Sequence, residues 1–388
     1  MLNKNIIFKN FKIKKNKANQ KKEVKKILGA LFKENNYILS SLGNKYKDSY
    51  NKTLLSKLRK KNTFTLIGMG GSILGAKAIY SFLEPKSKKF IFVDNISNFK
   101  QKPVKKSVNL IISKSGNTLE TISNSNMLIN KNSLNIFLTE KKRSYLTEIA
   151  NKFKAEIVHH NNYIGGRYSV LSEVGMLPAQ LMGLKPEKFR RFNKLIEKKS
   201  FVNSLIQNVS STLMMTKKNI TNSVILNYDC RSNDLFSWYQ QLVAESLGKK
   251  NKGILPIISI MPRDNHSLMQ YYLDGVKNHF FTFFFVKEKN SLKIKNHEIL
   301  KSHFYLKNKS LNSISFSQFS ATKRIFNKKN IPFRSFVIQD RNEETLGELF
   351  TFFILETILL GKALKINPYD QPAVELIKKE TKKDLINS

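Results

Sequence analysis

Apolar residues gather in short, β-rich runs from residue 63 onward: FTLIG at 64–68, FIFVD at 90–94, VNLIIS at 108–113, NIFLT at 135–139 and AEIVH at 155–159. Several are apolar at nearly every position, the pattern of a strand covered on both faces. Segments of helical length separate them. A second series follows at 223–228 (SVILNY), 254–261 (ILPIISIM), 281–287 (FTFFFVK) and 333–339 (FRSFVIQ). This alternation is the rhythm of βαβ units in parallel sheets. The chain is expected to be α/β, with two doubly wound parallel-sheet domains of similar size and helical extensions at both ends. The expected boundaries are 1–44 for an N-terminal helical extension, 45–186 and 187–345 for the two sheet domains, and 346–388 for a C-terminal helical segment. The charged stretch at 185–200 marks the join between the sheets. Within 1–44, apolar residues scattered among lysines suggest one or two short helices. Leu346–Leu364 is the most apolar stretch, interrupted by Glu348, Glu356 and Lys362. Its apolar positions recur at helical spacing, so a buried amphipathic helix is expected rather than a membrane span.

The segments after several strands carry the candidate chemistry. In LIGMGGSILG at 66–75, a strand runs into Gly68, Gly70 and Gly71, and Ser72 opens a helix. Glycines admit a ligand close to the backbone, and a helix N-terminus offers free N–H groups. The spacing fits neither a dinucleotide fingerprint nor a P-loop. In IISKSGNTLE at 111–120, Ser113, Lys114, Ser115 and Thr118 converge on a helix start, a donor set suited to a phosphate monoester. In GGRYSVLS at 165–172, Arg167 follows two glycines and is a candidate for opposing developing negative charge. On the segment 235–250, Leu235, Trp238, Tyr239, Leu242 and Val243 form a buried stripe, with Gln241 and Glu245 at its edge. A carboxylate so placed is partly desolvated, which favours a base. His266 follows strand 254–261 and is expected to open a helix, with Asp264 as a possible cap and the imidazole biased toward neutrality. Lys378 lies at a helix start in DQPAVELIKKE, 370–380.

Charge alters this picture little. The chain of 388 residues has 68 Lys+Arg against 28 Asp+Glu, a net charge of +40, but only ten of the cations are arginine. Base and phosphate reading favours arginine, and the lysines are spread along the chain. A nucleic-acid partner is therefore not expected; a basic surface still helps steer an anionic substrate. A single cysteine, Cys230, excludes an intrachain disulfide and fits a reducing cytoplasm. The N-terminal residues lack the apolar core and cleavage site of a secretory signal. The histidines show no metal-ligand spacing, so neither a metal nor an organic cofactor is expected.

These six segments, in this order, resemble the phosphoglucose isomerase family, built from two sugar-isomerase (SIS) domains. IGMGGSILG is similar to the family's Gly-Gly-Ser loop, and SKSGNTLET to its phosphate loop, with Gly116-Asn117 where other members carry bulkier residues. GGRYSVLS, QQLVAESLGKK, DNHSLMQYYLDG and QPAVELIKK are similar to its other site segments. The resemblance covers roughly residues 63–380. It implies reversible isomerisation of glucose 6-phosphate and fructose 6-phosphate by ring opening and a cis-enediol(ate), without a cofactor. Glu245 would shuttle the proton between C2 and C1, and Arg167 would steady the enediolate. His266 would assist ring opening, from a partner subunit of a homodimer, and Lys378 would act at the ring oxygen. Ser113, Lys114, Ser115 and Thr118 would hold the phosphate, while Gly71, Ser72 and Gln241 would line the sugar site. A mixed glucose- and mannose-phosphate isomerase and a non-catalytic sugar-phosphate sensor are the alternatives on the same fold.

Overall fold

The apolar runs form nine of the ten strands among the described residues of this computed structural model: β1 Ile6–Lys9, β2 Thr63–Gly68, β3 Lys89–Val93, β4 Val108–Ile112, β5 Leu134–Thr139, β6 Glu156–His159, β7 Asn222–Asn227, β8 Leu255–Ile260, β9 His279–Val286 and β10 Phe333–Ile338. The described residues are 2, 4–12, 18–96, 107–130 and 132–387. Parts of the expected 1–44 extension and of the first sheet domain, at 97–106 and 131, lie outside them.

The first sheet is wholly parallel, in the order β3-β2-β4-β5-β6. The winding reverses between β2 and β4, and loops leaving two such strands diverge to opposite faces. A crevice therefore opens at their carboxyl ends, the usual ligand position in sheets of this order. The second sheet runs β1-β10-β9-β7-β8, parallel except for β1. The strands β2, β4, β5, β7 and β9 are buried along almost their whole length, as two-sided coverage requires.

Two sequence expectations change. The segment 1–44 carries a strand as well as helices: β1 pairs antiparallel with β10, Lys9 opposite Ser335 and Ile7 opposite Val337. Four residues are too few to show a period, and the pairing that makes them a strand lies more than 300 positions away in the chain. The second change concerns helix Glu343–Ala363, which is buried from Thr345 to Gly361 without a polar face. It lies against helices Lys199–Thr216 and Asn233–Leu247 and against the N-terminal helix Ala18–Leu31. Its carboxylates have internal partners: Glu356 pairs with the buried Arg334, and Glu348 lies 3.7 Å from Arg191. Burial raises the Glu348 carboxyl to about 7, partly offset by the charge of Arg191. No helix of the described residues is long and apolar enough to cross a membrane.

One continuous apolar cluster runs through both sheet halves. Within it, helix Asn233–Leu247 packs on helix Leu74–Leu83 of the first sheet. That contact carries the C-terminal turns of a second-sheet helix to the crevice of the first.

Candidate active site

Five segments meet at the carboxyl end of the first sheet. Two of them flank the winding reversal. After β2 the chain turns through Gly70–Ser72 into helix Leu74–Leu83. Gly71 is buried against the Arg167 loop so closely that a Cβ there would stand 2.1 Å from the Gly166 carbonyl carbon. Ser72 sits half-buried beside it. After β4, Ser113–Thr118 leads into helix Leu119–Leu128, where Thr118 is the N-cap and no side chain fills the first turn's N–H groups. This open helix start lies where the sequence leads an anion to be expected, with its first N–H groups free of side-chain caps. Gly116 adopts φ +68, and a Cβ on it would fall 2.1 Å from Ser144 Oγ, so both backbone and packing require glycine here.

The hydroxyls of that loop divide. Ser113 is buried, its Oγ lying 2.8 Å from Thr118 Oγ1 and accepting the Gly116 N–H at 3.2 Å, so it ties the loop. Ser115 is half-buried and accepts the Asn117 N–H at 3.2 Å. Lys114 donates to the Asn162 carbonyl at 2.8 Å and lies 3.4 Å from Glu140. A cavity of about 580 Å³ opens beside Lys114 and reaches Gly165, Tyr168 and Tyr369.

Arg167 is buried at the centre, on the turn Gly166–Leu171, and all five of its N–H groups are engaged. Nε donates to Ser246 Oγ at 2.8 Å. Nη1 donates to Gln371 Oε1 at 2.6 Å and Glu245 Oε2 at 3.2 Å. Nη2 donates to the carbonyls of Pro368 at 2.8 Å and Asp370 at 3.0 Å. Glu245 remains partly open, its side chain 30% exposed, and its other oxygen accepts from Gln241 Nε2 at 2.8 Å. Gln241 in turn lies against Gly70: a Cβ there would be 2.6 Å from Nε2. Glu245, Gln241, the glycine loop and β4's end thus form one continuous surface. The larger cavity, about 870 Å³ and lined by Ala244, Gly248 and Ile254, includes none of these side chains.

Sequence reasoning missed several members. Gln371, Ser246 and Tyr168 hold Arg167, with Tyr168 Oη donating to the Pro368 carbonyl at 2.9 Å. The loop at 367–372 was legible from its prolines, but nothing local shows that it clasps a guanidinium. A second missed feature braces the Arg167 turn. His160 is buried with Nδ1 2.8 Å from Glu173 Oε1 and Nε2 2.9 Å from the Ile164 carbonyl, and Tyr46 Oη donates to Glu173 Oε2 at 2.8 Å. Burial opposes ionisation of Glu173, but the hydrogen bond and charge of His160 and the Asn161 N–H outweigh it and hold the carboxyl below its usual range.

Two expected residues stand apart. His266 does not open a helix: it follows the short turn Arg263–Asn265, and the next helix, Met269–Asp274, begins after Leu268. Asp264 is no cap but a buried acceptor, taking the Ile260 N–H at 2.8 Å and Ser259 Oγ at 3.1 Å. His266 is exposed at the carboxyl end of β8. Glu245 lies toward the other end, since Gln240, five residues earlier, donates to the Pro256 carbonyl at 2.8 Å. A strand of this length separates the two by about 17–20 Å. Lys378 lies on helix Val374–Asn387, which has no buried residue, and pairs with Glu375 at 2.7 Å. The structure brings Gln371 to Arg167 and leaves Lys378 in solvent.

The chain is 32% identical to a glucose-6-phosphate isomerase of Methanocaldococcus jannaschii, over 84% of this chain and 85% of that one. It is 34% identical to a glucose-6-phosphate isomerase of Mycoplasmopsis pulmonis, over 81% and 80%. In fold it is similar to a hypothetical protein of Thermus thermophilus, with a TM-score of 0.81 at 22% identity over 95% of each chain. A Chlamydia trachomatis glucose-6-phosphate isomerase gives a TM-score of 0.71 at 20% identity, over 90% of this chain and 77% of that one. The sequence model described as phosphoglucose isomerase matches residues 57–387, which takes in every segment of the site, and the chain belongs to that family.

Proposed function

We propose that the chain interconverts glucose 6-phosphate and fructose 6-phosphate, serving glycolysis and, in reverse, gluconeogenesis. The observation that carries this reading is the meeting of Glu245 with Arg167 at 3.2 Å beside an open helix start suited to phosphate.

The chemistry follows from that pair. Isomerisation removes a proton from the carbon next to a carbonyl and returns it one carbon away. Glu245 is partly exposed and held in orientation by Gln241 and Arg167, so one carboxylate can serve both transfers. As Glu245 takes the C2 proton, its charge disappears while an equal charge develops on the enediolate. Arg167 then exchanges one anionic neighbour for another without moving, since four further contacts hold its guanidinium. Gln241 Oε1 is buried and has no donor among the described residues, and a sugar hydroxyl beside Gly70 would supply one. Ser115, Lys114 and Thr118, with the N–H groups of helix Leu119–Leu128, would hold the phosphate; Ser113 would shape the loop that presents them. Phosphate binding keeps the opened chain in register with Glu245.

His266 would enter the site from the partner of a homodimer, and its exposure at the far end of β8 supports that arrangement. Lys378 would join once helix Val374–Asn387, which exposes Leu376 and Ile377, docks beside Gln371. The cytoplasm is the proposed compartment. The test is a coupled assay with glucose 6-phosphate, fructose 6-phosphate and mannose 6-phosphate in parallel. Turnover of the first two carries the proposal, and absence of fructose 6-phosphate formation by folded protein refutes it.

A further inference from the structure

A second concentration of positive charge lies on the far face of the second sheet. Side chains alternate across a strand. On β9, Phe280 and Phe284 enter the core shared with helix Asn233–Leu247, whereas Phe281, Phe283 and Phe285 face the opposite side, under helix Leu311–Lys328. Lys287 continues the second set. On β1 the same alternation buries Ile6 and Phe8 in the shared core and turns Ile7 and Lys9 to the far side, opposite Val337 and Ser335. Helix Leu311–Lys328 covers β9 and β10 but leaves the β1 edge open. The gap is a cavity of about 390 Å³, walled by Lys9, Lys287, Lys323 and Arg324, with Phe316 and Phe319 on the helix side.

None of its lining residues is a carboxylate. Among the described residues, no ion pair neutralises any of the four cations. They come from three separate segments, so a local run of lysines does not account for their meeting. Lys323 is the innermost. It lies 4.9 Å over the Phe319 ring, and its ammonium donates to the buried Ser335 Oγ at 3.1 Å. Burial, followed by the charges of Lys9 and Lys12, pushes it down to about 8. Lys323 is half-buried and Lys9, Lys287 and Arg324 are exposed around it; their like charges repel, and a bound anion relieves that repulsion.

We propose that this cavity is a second anion site, distinct from the candidate active site, that takes a small organic molecule bearing at least two phosphate groups. The volume suits a small molecule rather than a polymer. The four cations supply charge for more than one phosphate, and Ile7, Val337 and Phe316 offer an apolar strip to the carbon skeleton.

The test is calorimetric titration of the full chain with inorganic pyrophosphate at constant ionic strength. Ser115→Ala/Thr118→Ala, which disables the active-site loop, should leave this binding within about threefold, whereas Lys323→Met and Lys9→Met should each weaken it about tenfold or more, as loss of a charged contact does. Lys25→Met/Lys26→Met removes two exposed lysines elsewhere and should change it less than either single pocket variant. Retained isomerase turnover shows that the Lys323→Met and Lys9→Met proteins are folded. If either fails to fold, Arg324→Gln takes its place. The proposal is overturned if pyrophosphate does not bind, if the pocket variants bind like the control, or if the loop variant abolishes binding. Tighter binding of a short single-stranded RNA, lost in the same pocket variants, would reassign the cavity to a polyanion and also overturn it.

Discussion

Arg167→Lys separates two roles that the geometry superimposes, since the guanidinium both faces Glu245 and fastens the 367–371 turn. Lysine keeps the charge but offers three N–H groups from one point in place of five in a planar fork. The Pro368 carbonyl keeps a donor in Tyr168 Oη at 2.9 Å, and Ser246, whose hydroxyl donates to Tyr168 Oη at 2.8 Å, keeps a partner. The acceptors at risk are the Asp370 carbonyl, Gln371 Oε1 and Glu245, and an ammonium can recover one or two of them. An abandoned buried acceptor costs about 1–3 kcal/mol, but Asp370 and Gln371 are exposed residues and Glu245 is half-buried, so a loss of at most about 1–2 kcal/mol in stability is expected. Loss of a fixed donor array beside a developing oxyanion costs about 10²–10³ in kcat, or ~3–4 kcal/mol. KM should change less, because the proposed phosphate loop is a separate segment. The assay is steady-state isomerisation, at a temperature where circular dichroism shows the variant folded, with the unfolding midpoint measured alongside. A variant that loses stability yet turns over within about threefold of the parent would refute the electrostatic role. Arg167 would then be a strut for the C-terminal turn.

The remaining predictions use other parts of the site. Glu245→Gln keeps the side chain's shape and should lower kcat about a thousandfold or more while sugar-phosphate affinity, measured by calorimetry, stays within about tenfold; substantial residual turnover removes Glu245 as the base. Gly116→Ala forces a side chain into φ +68 and into Ser144 Oγ, so chemical denaturation should show a loss of at least about 2 kcal/mol with weaker phosphate binding, and parent-like values would contradict the loop geometry. Glu245→Gln and His266→Ala proteins, each inactive alone, should regain about a quarter of parental activity when mixed and reassociated as dimers, because one site in each heterodimer is intact; no recovery would place His266 in its own subunit's site. For Glu173, the folded carboxyl lies below its unfolded range. Its stabilisation is therefore present above the ordinary value of 4.5 and lost as pH falls through the folded one. Glu173→Gln should be less stable than the parent at neutral pH and lose less stability on acidification, and parallel pH profiles would show that the buried pair with His160 contributes nothing.

The site was only partly legible before the fold was known. The proposed phosphate loop could be singled out because what it offers is local: hydroxyls, a lysine and a helix start sit within six consecutive residues. Ser113 shows the limit of that reading, since a hydroxyl in the same short loop can bind a ligand or tie the loop, and only its burial against Thr118 tells which. Glu245 and Arg167 were named from separate segments, and their role depended on a contact that neither segment contains. His266 was expected at a helix start because its neighbours are good capping residues, but Asp264 turns inward to the backbone of β8 instead.

Determined by sequence alone were the strand–helix rhythm, the two parallel sheets and the glycine and hydroxyl turns at strand ends. These follow from apolar periodicity and backbone preference over a few neighbouring residues. Tertiary structure alone decided that β1 closes the second sheet from the other end of the chain. It alone decided that the 343–363 helix has no outer face, and that Arg167 grips Gln371 across 204 positions while Lys378, seven residues further, stays in solvent. The physical reason is the same in each case. Burial and pairing partners are set by how distant layers stack, and a local pattern specifies what a segment offers but not what it will meet.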